Sequence, residues 1–128
     1  MREILFRGKQ RTMLDWVEGT GVFNDGTNTW LSANESNKPI ACGLNHKIVL
    51  PETIGQYVMT DKNGKKIFEG DIVEVIHVGV YLCRWDEGNC EFGLINENES
   101  FGIAYVSPYD IVVIGNIHDD PELLGGDG

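Results

Sequence analysis

The chain has 128 residues, 41% of them hydrophobic, which suits one compact domain or two small subdomains sharing a core and excludes a disordered polymer. No apolar run approaches the roughly 20 residues that span a bilayer, and the charged start (Arg2, Glu3, Arg7) precedes no signal-peptide core, so a cytoplasmic protein without membrane contact is expected. The net charge of −10 is uneven: residues 67–128 hold thirteen acids against Arg84 alone, while residues 1–66 hold nine bases against seven acids.

In chain order, residues 2–7 alternate, with Ile4 and Phe6 on one face and Glu3, Leu5 and Arg7 on the other, and predict a first strand. Residues 16–19 and 21–23 predict a short strand or pair, Asn24-Asp25-Gly26 a turn, and residues 28–37 a loop around Trp30-Leu31. Pro51-Glu52-Thr53 predicts a single helical turn, with Pro supplying φ and Glu suiting an N-terminus. Asn63 and Gly64 both tolerate positive φ, so they predict a two-residue type I′ hairpin loop. That loop pairs Lys62 with Lys65, Asp61 with Lys66, Thr60 with Ile67 and Met59 with Phe68. Glu69-Gly70 then breaks the strand. Residues 72–78 read as a largely buried β run, with His77 as a partly covered strand histidine.

Gly79 bends the chain into a hairpin of residues 80–85 and 90–95 around Asp86-Glu87-Gly88-Asn89. In the expected register Trp85 faces Cys90, Arg84 faces Glu91 and Cys83 faces Phe92. Tyr81, Cys83, Trp85, Cys90, Phe92 and Leu94 then share the core face. Residues 96–99 predict a turn, 101–106 a strand, 107–110 a short helical turn and 111–117 the last strand. From Asp119 the chain is acidic and Gly-rich, and its last few residues are expected to fray. No window carries a 3.6-residue apolar period, so helix should be minimal, and the short, evenly spaced strands suit a small barrel or sandwich.

Four ordered segments also carry a family resemblance. They are Met1-Arg2-Glu3-Ile4-Leu5-Phe6-Arg7; Pro51-Glu52-Thr53-Ile54-Gly55-Gln56-Tyr57; residues 61–73 (DKNGKKIFEGDIV); and Val113-Ile114-Gly115-Asn116-Ile117-His118 with Pro121-Glu122-Leu123-Leu124. Together they resemble the YopX family of small phage and prophage proteins from end to end. One departure is Val58-Met59-Thr60, where the family usually has Thr-Gly-Leu, which removes a flexible Gly before the turn. The resemblance implies an all-β fold with an SH3-like barrel in the C-terminal half and a smaller N-terminal β subdomain packed on it. The boundaries expected are 1–55 for the subdomain, 56–118 for the barrel and 119–128 for an acidic Gly-rich tail. The family supplies no catalytic residues to carry over.

The residues themselves offer no reaction. A phosphate loop fails because Lys66 stands where Ser or Thr is needed and Met59 where the first Gly should be. A calcium loop fails because Gly64 comes two positions early and no acidic ligand follows at the right distance. The acidic pairs Asp86-Glu87 and Asp119-Asp120 with Glu122 read as solvated loop carboxylates, and His46, His77 and His118 lie far apart. Cys42, Cys83 and Cys90 match no zinc spacing and are expected to be reduced, buried thiols. No catalytic, cofactor or metal residue is assigned, and no enzymatic activity is expected. The leading expectation is action through protein contacts, with another protein or a second copy, using the acidic C-terminal half or an exposed sheet edge. The alternative is a nucleic-acid module working through Arg2, Arg7, Lys9, Arg11, Lys62, Lys65 and Lys66, although the net charge disfavours it.

Overall fold

Runs of β-branched and aromatic residues, punctuated by Asp, Asn and Gly, form eleven antiparallel strands in a computed structural model that describes residues 4–33 and 46–124. The only helical elements among the described residues are single 3₁₀ turns. The chain divides into two units, Met1–Tyr57 and Val58–Gly128. Arg2, residues 34–37 of the expected loop, Cys42 and the fraying expected of the last residues lie outside the described residues.

The first unit orders its strands β4-β3-β2-β1-β5: β1 (Phe6–Lys9), β2 (Trp16–Asn24), β3 (Thr29–Ala33), β4 (His46–Val49) and the start of β5 (Gly55–Thr60). Strand β1 therefore begins later than the alternation indicated, and it is Leu5, not Ile4, that is buried. The two short segments expected after it are one nine-residue strand, bulged between Gly19 and Gly21. Strand β3 takes residues 29–33 of the predicted loop. The cause is local: the Asp25 carboxylate accepts from Thr27 N, Asn28 N and Trp30 Nε1, closing a turn that returns Trp30 against Phe23 and buries Leu31 completely. Strand β4 was not anticipated. Its Val49 packs where Gly8 lacks a Cβ, which would sit 3.2 Å from Val49. The 3₁₀ turn at Pro51–Thr53 forms as expected, and the buried Thr53 hydroxyl donates to Leu50 O while accepting from Lys9 N.

Strand β5 ends in the second unit beside β6 (Lys66–Phe68). The other sheet of this unit runs β10-β9-β8-β7-β11: β7 (Asp71–Val75), β8 (Gly79–Asp86), β9 (Glu91–Ile95), β10 (Ser100–Gly102) and β11 (Ile111–Asn116). It is an open sheet, with β10 and β11 at its edges. Its core is a cluster of Ile67, Val73, Val75, Tyr81, Cys83, Leu94, Ile103 and Ile111. The Tyr81 hydroxyl donates to Glu99 Oε2 at 2.7 Å, satisfying the one polar atom of a fully buried ring.

Several turns differ from expectation for identifiable reasons. Asn63 does not adopt positive φ; Gly64 does, at 84°. The Asp61 carboxylate is the cause. It is only 6% exposed, its Oδ1 accepts from Asn63 N and Lys65 N, and its Oδ2 accepts from Val113 N of β11. The loop becomes Lys62-Asn63-Gly64, closed by Asp61 N donating to Lys65 O, so Lys65 rather than Lys66 stands across from Asp61. Strand β7 stops at Val75. His77 lies in the following turn with φ 66° and is exposed, so it is not a strand histidine. Residues 103–106, expected to be strand, hold a 3₁₀ turn at Ile103–Tyr105, whereas the turn at Pro108–Asp110 forms where it was expected, capped by the Ser107 hydroxyl.

Candidate binding cleft

The site is built by the β8–β9 hairpin. Asp86 Oδ1 accepts from Gly88 N at 3.0 Å and Asn89 N at 3.3 Å, and Oδ2 accepts from Asn89 Nδ2 at 2.8 Å. The Asn89 amide leads these bonds in holding the Asp86 carboxyl below the usual carboxylate range despite some desolvation. Cys90 then takes the left-handed conformation, φ 52°, which moves the loop to Glu87-Gly88-Asn89-Cys90. The register follows: Asp86 pairs with Glu91, Trp85 with Phe92, Arg84 with Gly93 and Cys83 with Leu94. The expected pairing of Arg84 with Glu91 is thus off by two residues. A two-residue slip preserves the facing of every side chain, so Tyr81, Cys83 and Leu94 remain core. The outer end of that face does not. Trp85 is 42% exposed, edge-on to Phe92, and Cys90 is exposed rather than buried.

On the opposite face one row crosses three strands. Arg84 of β8 pairs with Gly93 of β9, and Gly93 pairs with Gly102 of β10. Gly93, which has no side chain, leaves a depression beside Arg84, whereas the space over Gly102 is taken by the Glu91 carboxylate. A cleft of about 570 Å³ opens there, lined among others by Glu69, Arg84, Asp86, Glu87, Gly93 and Ser100. A Cβ at Gly93 would stand 3.3 Å from Phe101 O, so the low floor is tied to the backbone spacing. Glu69 is delivered by the turn before β7, where Gly70 at φ 97° donates to Cys83 O and accepts from Ile117 N. The buried Asp71 braces that turn by accepting from Phe68 N. Arg84 is exposed and makes no hydrogen bond or ion pair among the described residues. The cleft therefore holds an uncommitted guanidinium beside three carboxylates.

The basic residues singled out from the sequence are divided. Arg7, Lys9 and Arg11 belong to the first unit, and Lys62, Lys65 and Lys66 to the second. Arg7 is half-buried with its guanidinium 4.6 Å from the Trp16 ring centroid, and Arg11 Nη1 donates to Asn28 Oδ1. Lys62 and Lys65 are exposed at their hairpin tip, and Lys66 is half-buried. Among the described residues no group of three or more His, Cys, Asp or Glu side chains could hold a metal ion. Asp119 and Asp120 serve the turn after β11: Asp119 N donates to Asn116 Oδ1, and Asp120 Oδ2 accepts from Asn116 N. No helix among the described residues is long and apolar enough to cross a membrane.

Compared with known families, residues 5–125 match the one described as YopX protein. The chain belongs to the YopX family. No curated protein matches it. Within this YopX chain the resembling segments serve the scaffold: residues 61–73 contain both structural carboxylates, Asp61 and Asp71, and residues 113–118 supply Val113 N and Ile117 N to the neighbouring turns. The cleft residues Arg84, Asp86, Glu87 and Gly93 fall between those segments. The sequence signal that could have located the site was Arg84 itself, the single base after Lys66. Its setting was missed because the carboxylate of Asp86 starts the turn one residue later than composition suggests.

Proposed function

We propose that this YopX protein is a non-enzymatic contact protein of phage or prophage origin, working in the cytoplasm, that seats a protein partner in the cleft beside Arg84. The observation that carries the reading is the cleft itself, a concavity of about 570 Å³ floored by glycine and walled by charged and aromatic residues on one regular sheet. Such a surface offers a partner chain close backbone approach and charged groups that fix its register. The SH3-like arrangement belongs to this proposal: five antiparallel strands with a 3₁₀ turn immediately before the last one support it in the second unit.

The nucleic-acid alternative is weaker. Arg7 is stacked on Trp16, Arg11 is engaged by Asn28, and the second unit carries four bases against fourteen acids. The test is photo-cross-linking in the native lysate with the reactive side chain at Ser100 on the cleft rim or at exposed Glu52 as control. The reading expects protein adducts from position 100 and none from 52, together with no retention of mixed DNA or RNA at low salt. Adducts equal at both positions, or tight oligonucleotide binding that falls steeply with salt, would reject it.

A further inference from the structure

We infer that the segment seated in the cleft is cationic, an extended Lys- or Arg-bearing stretch of a partner protein, and that Arg84 selects its register rather than attracting it. This rests on the cleft being the contact site.

Charge selects the occupant. Glu69, Asp86 and Glu87 line the same cleft as Arg84, and Glu91, the cross-strand partner of Asp86, has its carboxylate folded against Gly102. Asp86 and Glu91 are a directly paired cross-strand couple of like charge, an arrangement that costs stability in isolation and is relieved by a bound cation. Asn89 and two backbone amides hold Asp86 ionised, so the negative potential persists at neutral pH. The second unit as a whole has ten more acids than bases. A field of this sign raises the local concentration of a positive segment and speeds its encounter, while an anionic segment is repelled before it reaches the one guanidinium.

Arg84 supplies the selective element. It is exposed and unpaired although carboxylates line the same cleft. A partner cation placed beside it is disfavoured, so the cationic side chains are steered toward Glu69 and toward Asp86 and Glu87. A carbonyl or carboxylate of the partner is accepted between them by the guanidinium fork. Gly93, paired with Arg84 and without a side chain, leaves room for the backbone that links these groups.

The inference gives Arg84 an unusual sign. Removing a positive charge from the binding site should strengthen binding. The experiment measures fluorescence anisotropy of three labelled decapeptides of equal length, one Lys/Gly/Ser, one Glu/Gly/Ser and one Gly/Ser. Each is titrated with the wild-type chain, Arg84→Gln, Arg84→Glu and Ser100→Trp, the last filling the cleft from its exposed rim. Circular dichroism and thermal unfolding check that each variant is folded. The Lys peptide should bind the wild type, bind Arg84→Glu about three- to tenfold more tightly at low salt with Arg84→Gln between, and lose affinity in Ser100→Trp. If the Glu peptide binds instead and Arg84→Glu abolishes it, the cationic partner is overturned while the cleft stands as the contact site. If the Lys peptide binds equally to Ser100→Trp, attraction is diffuse and the cleft reading itself fails.

Discussion

The two units share an antiparallel design but differ in what they bury and what they charge. Among the described residues the first buries three hydrophobic side chains, Leu5, Leu31 and Val49, and relies on half-exposed rings such as Phe23 stacked on Trp30. The second gathers an eight-residue core and threads buried carboxylates through it at Asp61 and Asp71. Charge follows the opposite course, with six bases balancing six acids in the first unit and four bases facing fourteen acids in the second. A well-packed sheet can carry repulsion at its turns and rim because apolar burial dominates its stability. A thinly packed one has less margin for it. The concave, strongly charged surface lies on the unit with the deeper apolar core.

The comparison breaks first in the core. Leu94→Ala should lower stability by about 2–5 kcal/mol, since Leu94 is fully buried among large neighbours, and urea unfolding would read it. A loss below about 1 kcal/mol would mean that the cluster is not where the second unit keeps its stability. Next is Asp61→Ala, which strips three backbone N–H groups of their acceptor and should cost about 2–4 kcal/mol.

Asp61 also makes the second unit acid-sensitive. Burial pushes its pKa up, but the N–H groups of Val113, Lys65 and Asn63 and the Lys65 charge outweigh this and hold it below 3.8. A depressed folded-state value means that the stabilisation is complete above the unfolded-state pKa and is lost as pH falls through the folded one. Unfolding free energy should therefore decline below about pH 4, and part of that decline should be absent in Asp61→Asn. Equal acid profiles for the two proteins would remove Asp61 as the cause.

Smaller effects sharpen the contrast between turns. Tyr81→Phe deletes the bond to Glu99 and should cost about 1–2 kcal/mol, measured in the same unfolding assay. Gly64 at φ 84° and Gly26 at φ 96° are a matched pair, one in each unit, and a Cβ on either meets nothing within 4 Å. Replacing each by Val isolates backbone strain of about 1–2 kcal/mol. Hydrogen exchange resolved by residue should show each penalty in its own unit. A neutral Gly64→Val would contradict the left-handed turn that Asp61 organises.

The all-β class and most strands of the second unit were legible because alternation and turn residues are local signals. The core face of β8 and β9 was legible too, since a two-residue slip leaves facing unchanged. What was not legible depended on single side chains choosing between turns of similar cost. Asp61 reaches 52 residues along the chain to Val113, and no local pattern encodes that choice. Asp86 shifts a hairpin and thereby moves Arg84 from an expected partner, Glu91, to an open row beside Gly93. In the first unit, Trp30-Leu31 was hidden in a polar stretch, and only the burial of Leu31 reveals β3.

The claim at the centre of this account is that the acidic cleft of the second unit receives a cationic protein segment. Two-dimensional amide NMR of the whole chain, titrated with the Lys/Gly/Ser peptide at low and at high salt, tests it most directly. The expected result is a saturable set of shifts centred on Arg84, Gly93 and Ser100, shrinking as salt screens the field. Shifts centred instead on the aromatic surface of Phe23 and Trp30, or spread evenly over every exposed carboxylate, would contradict it.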